Sequence, residues 1–237
     1  MQFDVVFQTE HLLMYLEGTW VALQLLISCL VVGGALAIPL ALMRVSPQVW
    51  LHGPVWAFTY VIRGTPLLIQ LYIIYYGVAQ LDFIQARWDE QWPWTAFKQP
   101  FFCAMLAFAI NTCAYTTEML AGSIRDTSAG EIEAAQAMGM SRAQAVWRIV
   151  LPSALRRTLP AYSNEVIMML HSTSLASAVP ALLDITGAAR TIYAKYYLPF
   201  EAFITAGLIY LMLTFTLVGL FKLAEGKWLA YLQPRAA

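Results

Sequence analysis

At 237 residues, 60% of them hydrophobic, 12% charged and summing to zero net charge, the chain falls far below the roughly 25% charge of a soluble domain. With a mean hydropathy of +0.62 it belongs in a lipid bilayer, and nothing in its charge suggests nucleic acid. Cys29, Cys103 and Cys113 all sit in apolar runs, so they read as small buried hydrophobes rather than as a disulfide framework or zinc site.

The N-terminus does not resemble a signal peptide, because Asp4, Glu10 and Glu17, with no basic stretch, precede the first apolar run. A spanning helix needs about 20 mostly apolar residues. Five runs without a formal charge qualify: residues 19–43, 64–81, 99–117, 166–183 and 202–221. A sixth run, 45–62, is interrupted by Pro47, Gly53 and Pro54 and contains His52. It reads as a re-entrant or interfacial elbow leading into the second span, with a span of its own as the alternative. In the second span Tyr72 and Tyr76 share a face, with Tyr75 beside them. Core packing, a headgroup belt and a cavity lining all remain open for them. Trp88, Trp92 and Trp94 in the following loop read as interfacial anchors.

Five spans put the termini on opposite sides. With the N-terminus outside, the inner segments hold Arg44, Arg125, Arg142, Arg148, Arg156, Arg157, Lys222, Lys227 and Arg235, which is nine; the outer ones hold Arg87, Lys98, Arg190 and Lys195, which is four. Basic residues gather on the cytoplasmic side, so the N-terminus is expected outside and the C-terminus inside.

Between the third and fourth spans lies a polar, helix-forming segment, about 126–152, expected in the cytoplasm. Ser128 and Glu131 have capping-box spacing, so a helix should run from about Ala129 to Met138. Gly139 then falls where a left-handed residue ends a helix. Ser141 and Gln144 repeat the box, and Pro152 and Pro160 mark the return to the membrane. Ala134, Ala135 and Ala137 make one side of the first helix small, while Glu131, Glu133 and the following arginines are polar. The choice is between an ordinary structured loop and a surface shaped for a soluble partner.

Charges inside spans are costly and usually face a bundle interior or cavity. Asn111, Tyr115 and Glu118 fall at i, i+4 and i+7, on one face of the third span. Glu165 and Ser172 share a face at the start of the fourth, with Asn164 and His171 on the neighbouring stripe. Either the carboxylates pair with arginines such as Arg125 or Arg156, or they line a low-dielectric cavity that attracts a cationic substrate. His171 reads as a structural residue unless it points into that cavity, where it would make binding sensitive to pH near neutrality. There is no metalloprotease or nucleophile-elbow motif, no metal cluster and no phosphate loop in the sequence. A membrane-embedded enzyme therefore has no support, and a secondary transporter would need a repeat that is not visible.

Glu133-Ala134-Ala135, Gly139 and Ile149-x-Leu151-Pro152 resemble the EAA motif of ATP-binding-cassette importer permeases. Arg63-Gly-Thr-Pro-Leu-Leu-Ile-Gln70 resembles a signature of the polar amino-acid permeases, and 111–125 and 164–175 fit the same group. The likeness spans about 18–228. It is strongest to the M-type membrane subunits of histidine/lysine/arginine/ornithine importers, with opine permeases beside them. It implies an all-α type I importer fold as one permease domain over 1–237. It also implies a periplasmic binding protein that delivers basic amino acids, and a bacterial inner-membrane location. By the same likeness Glu133, Ala134, Ala135 and Gly139 belong to coupling helices that dock on a cytoplasmic ATPase dimer. That dimer, not this chain, would bind ATP and Mg and do the hydrolysis. A similar second permease is implied, as a heterodimer, with a homodimer open. Glu165 and Asn164 match pocket positions of related permeases; Glu118, Asn111, Tyr115, His171 and Ser172 rest on face and charge. His171 stands where many relatives have lysine, which suits a cationic substrate.

Overall fold

A computed structural model describes residues 3–90 and 92–229, so Arg235 lies outside the described residues. Among these residues all regular structure is helical: α1 (Phe3–Val6), α2 (Thr9–Arg44), α3 (Val49–Arg63), α4 (Leu67–Tyr72), α5 (Asp82–Gln85), α6 (Pro100–Arg125), α7 (Ala129–Ala137), α8 (Arg142–Ala145), α9 (Leu151–Ser172), α10 (Ile185–Tyr196) and α11 (Pro199–Trp228). Three of them, α2, α6 and α11, are long and apolar enough to cross a membrane. The bent pair formed by α3 and residues 67–80 makes a fourth if counted as one span.

The helix α6 is the centre of the bundle. Cys103, Ala104, Ala107, Phe108 and Ala109 on it are buried against Leu25, Leu26 and Cys29 of α2 and Val166, Met169 and Leu170 of α9. Small residues let these backbones close up. A Cβ placed on Gly33 of α2 would lie 2.6 Å from the carbonyl oxygen of Ala109, so the crossing of α2 and α6 requires glycine there. The outer helix α11 leaves Leu208, Met212 and Phe215 exposed, as a lipid-facing surface allows. Asp184 caps α10, accepting from the amides of Thr186 and Gly187 at 3.0 Å and from the Tyr210 hydroxyl at 3.2 Å.

Two expected segments take a definite form. Within 45–62 the chain is helical, 49–63 forming a 15-residue helix packed along α6 and α2 that turns sharply into the next segment, as a re-entrant element or one arm of a broken span does. Residues 64–81 are not a plain span. They begin at a break and continue as α4, a π-helical turn (Ile73–Gly77) and a 3-10 turn (Val78–Gln80). The two arms meet at 103°. Pro66 is the cause, because it has no N–H to continue the ladder and keeps Thr65 out of helical conformation. The fourth expected run, 166–183, is not one helix. Its first part belongs to α9, 151–172, which carries Arg156, Arg157 and Glu165. The second half of the expected run, 173–183, is a 3-10 turn and a loop leading to Asp184. The uncharged run begins only after Glu165, so it caught the end of α9 and missed its start.

The segment between α6 and α9 folds as helix, turn, helix. Ser128 accepts from the amide of Glu131 at 3.3 Å, but Glu131 turns its carboxylate to the Ser128 hydroxyl instead of completing the box. At Ser141 both halves form, with the Gln144 side chain accepting from the Ser141 amide at 2.9 Å. Gly139 has φ +83. The amides of Gly139 and Met140 return to the carbonyls of Gln136 and Ala135 at 2.9 and 3.1 Å, a Schellman closure.

Candidate functional site

The break between α3 and α4 lies against the face of α6 that carries Asn111, Tyr115 and Glu118. Each of the three meets a different part of the broken pair. Glu118 accepts from the Thr59 hydroxyl at 2.6 Å. The Arg63 guanidinium lies over the Tyr115 ring, 5.1 Å from its centroid. Asn111 donates to the Gln70 side-chain oxygen at 3.1 Å. As 59, 63 and 70 rise, 118, 115 and 111 fall, so the broken pair runs antiparallel along α6.

A break at this depth strips carbonyls of their helical partners, which is expensive in a bilayer. The Thr65 amide and hydroxyl reach the Ile62 carbonyl at 3.4 and 3.2 Å, and Gln70 adds a further donor. Its Nε2 donates to the carbonyls of Ile62 and Thr65 at 2.7 and 3.0 Å and to the Thr65 hydroxyl at 2.9 Å.

Beside the break opens a pocket of about 560 Å³, within the range that holds small ligands. Arg63, Gly64, Thr65 and Pro66 form its wall at the break; α6 contributes Asn111 and Tyr115; α9 contributes Asn164, Glu165 and Ser172. Five of the seven residues proposed from sequence for the pocket thus come together. Among the described residues no cationic group is in salt-bridge contact with Glu165. The pocket therefore presents one carboxylate and one guanidinium on different elements, with amide and hydroxyl groups between. That arrangement suits an amino acid, with the guanidinium for its carboxylate and Glu165 for a cationic group.

Two residues expected in the pocket are elsewhere. Glu118 is held by Arg44, whose Nε lies 2.6 Å from its Oε1, with both side chains mostly buried. Its carboxylate is therefore a bolt between α2, α3 and α6. The arginine is neither of the two expected from sequence, because Arg125 instead donates to the backbone carbonyl of Arg44 at 3.2 Å. His171 turns to α11, within 3.0 Å of the Thr214 hydroxyl. One helical residue rotates the side chain by about 100°, which carries His171 away from the stripe of Glu165 and Ser172. Arg63 and Gln70 were not singled out from sequence as site residues. The signal was their place on either side of Gly-Thr-Pro, where a helix must break.

On the segment 126–152, Glu133, Ala134 and Gly139 are exposed. Ala135 is buried within the chain, packed under the exposed residues of this segment. Met138 and Trp147 are large, apolar and exposed, at 81% and 60%, and give this surface an apolar contact that the alanine pattern did not reveal. Trp92 in the loop before α6 is exposed, whereas Trp94 packs edge-on against Phe83.

The profile of the binding-protein-dependent transport system inner membrane component family matches residues 33–228. The chain is 47% identical over 224 residues to the histidine/lysine/arginine/ornithine transport system permease protein HisM of Escherichia coli (strain K12), covering 92% of this chain and 90% of that protein. It is 45% identical over 225 residues to the octopine transport system permease protein OccM of Rhizobium radiobacter, covering 95% and 90%. Among solved structures, an amino acid ABC transporter crystallised with histidines superposes with a TM-score of 0.79 at 30% identity, covering 96% of this chain and 100% of that one. An inward-facing MetNI methionine ABC transporter shares the fold, with a TM-score of 0.76 at 18% identity.

Proposed function

The chain belongs to the family of binding-protein-dependent transport system inner membrane components, and on that premise we propose that it carries basic amino acids. It is a multi-pass permease subunit of an ATP-binding-cassette importer of polar amino acids. The observation that carries the choice of cargo is Glu165, which lines the pocket beside the helix break and makes no salt bridge among the described residues. A cationic side chain there replaces water with a carboxylate at low dielectric, where attraction is several-fold stronger. Arg63 across the pocket takes the substrate carboxylate, and Asn111, Asn164 and Ser172 supply hydrogen bonds for its amine. The histidine/lysine/arginine/ornithine relative at 47% identity supports this reading.

The rest of the machine follows from the family. A periplasmic binding protein delivers the substrate, with the segment around 82–99 and the exposed side of α10 as its landing face. A cytoplasmic ATPase dimer docks on 126–152 through Glu133, Ala134, Gly139, Met138 and Trp147, and binds the ATP and Mg. A second, similar permease completes the path as a heterodimer, with this chain's N-terminus outside. ATP-driven closure then biases two packed arrangements of the helices.

A second reading, import of opines, is favoured by Arg63, which could hold the additional carboxylate of such a conjugate, and by the octopine relative. The test is ATP-dependent uptake in liposomes containing this chain with its partner permease, ATPase and binding protein. Arginine, lysine, ornithine and histidine should enter ahead of glutamine and glutamate. Octopine as the sole strong substrate would select the opine reading. Preference for a neutral or acidic amino acid would reject the Glu165 argument, and uptake without ATP would reject the importer.

A further inference from the structure

Arg157 joins the two helices that leave and re-enter the bundle around the segment 126–152. From α9 its Nη2 donates to the carbonyl of Ser123 at 2.9 Å and to the hydroxyl of Thr127 at 2.7 Å, and its Nη1 donates to the Ser153 hydroxyl at 2.6 Å. Ser123 is in the last turn of α6, where carbonyls lack helical partners. Thr127 is buried and directly precedes Ser128, the N-cap of α7. Thr158 reinforces the junction, donating to the Ser123 hydroxyl at 2.7 Å. Arg156 next to it is exposed, so the buried contact is particular to Arg157.

The position of this clamp relative to the pocket is what gives it a role. Arg157 is eight residues below Glu165 on α9, and Ser123 is eight residues from Tyr115 on α6. At about 1.5 Å per residue both intervals are roughly 12 Å. The clamp therefore ties the two pocket walls together at equal depth, at the root of the element that meets the ATPase.

We propose that Arg157 is a positioning residue that makes α6 and α9 follow α7 as one body, so that a push on α7 reaches both pocket walls. This rests on the importer reading. Without the clamp, α7 and its ATPase would still engage, but the displacement would be dissipated at the junction and ATP would be hydrolysed without transport. Lysine keeps the charge and can reach acceptors from one nitrogen, but it lacks the second nitrogen that holds Ser153, so it should restore the function in part.

The experiment uses the complete complex in liposomes and measures substrate imported per ATP hydrolysed for the parent and for Arg157→Gln, Arg157→Lys and Thr127→Val. Arg157→Gln is expected to lower that ratio about tenfold, with Arg157→Lys and Thr127→Val in between. Assembly and substrate-free hydrolysis should be retained. A merely structural residue would reduce the amount of complex and leave the ratio at the parent value. Ratios equal to the parent in both the Arg157 and the Thr127 variants would overturn the proposal. If Arg157→Gln does not assemble, Thr127→Val decides by the same criterion. A parent complex with no ATP-dependent uptake would instead remove the importer reading, and this proposal with it.

Discussion

The Asn111 amide donates to the Gln70 side-chain oxygen at 3.1 Å, and Gln70 in turn caps the carbonyls of Ile62 and Thr65. One pair of side chains thus connects the central helix to a break that would otherwise leave polar backbone unpaired inside the membrane. The break places Arg63 and Gly64 in the pocket wall, so its integrity and the shape of the pocket are a single property.

Gln70→Leu keeps the side-chain volume and removes the cap. The Ile62 carbonyl keeps the Thr65 amide and hydroxyl, while the Thr65 carbonyl loses its donor at a cost of about 1–3 kcal/mol. The purified complex should melt at lower temperature and lose uptake for every substrate alike. Unchanged melting would show that the break is held by other means.

Glu165 and Glu118 should part company when each is changed to glutamine. Glu165→Gln is expected to raise the KM for arginine and lysine tenfold or more, with assembly unaffected. Glu118→Gln leaves the mostly buried Arg44 without its carboxylate, a loss of about 3 kcal/mol. Its signature should be a low yield of complex whose substrate preference is unaltered. A shift of substrate preference in Glu118→Gln would reject the bolt assigned to it.

Arg63 is tested by the substrate as well as by mutation. Agmatine, which is arginine without its carboxylate, should compete poorly for transport by the parent protein. Arg63→Gln should narrow the difference between arginine and agmatine by about tenfold through the loss of a charge-assisted pair. An unchanged arginine-to-agmatine ratio in that variant would remove Arg63 from substrate recognition.

Gly139 has φ +83, and a Cβ built on it would meet nothing within 4 Å. The cost of a side chain there is conformational, about 1–2 kcal/mol, and not steric. Gly139→Val should therefore insert into the membrane normally while ATP-dependent uptake falls, because the turn between α7 and α8 no longer closes. Gly139→Asn, which tolerates left-handed conformation, should retain much of the uptake. Equal uptake by the valine variant and the parent would separate this turn from coupling.

Sequence alone determined the features that depend on neighbours a few residues apart. Long apolar runs made α2, α6 and α11 legible, capping residues and Gly139 marked α7 and α8, and helical periodicity put Asn111, Tyr115 and Glu118 on one face. Those signals are local, because helix geometry repeats every turn. Tertiary structure decided what covers that face. Glu118 and Glu165 are the same residue type in equally apolar surroundings, yet Arg44, 74 residues away, binds one and leaves the other to the pocket. The same holds for the break at Gly64–Pro66, which survives because Gln70 and Asn111, 41 residues apart, satisfy what proline interrupts. Hydropathy registers none of these bonds, and Arg44 with Glu118 and Asn111 with Gln70 meet only when α2, α4 and α6 pack.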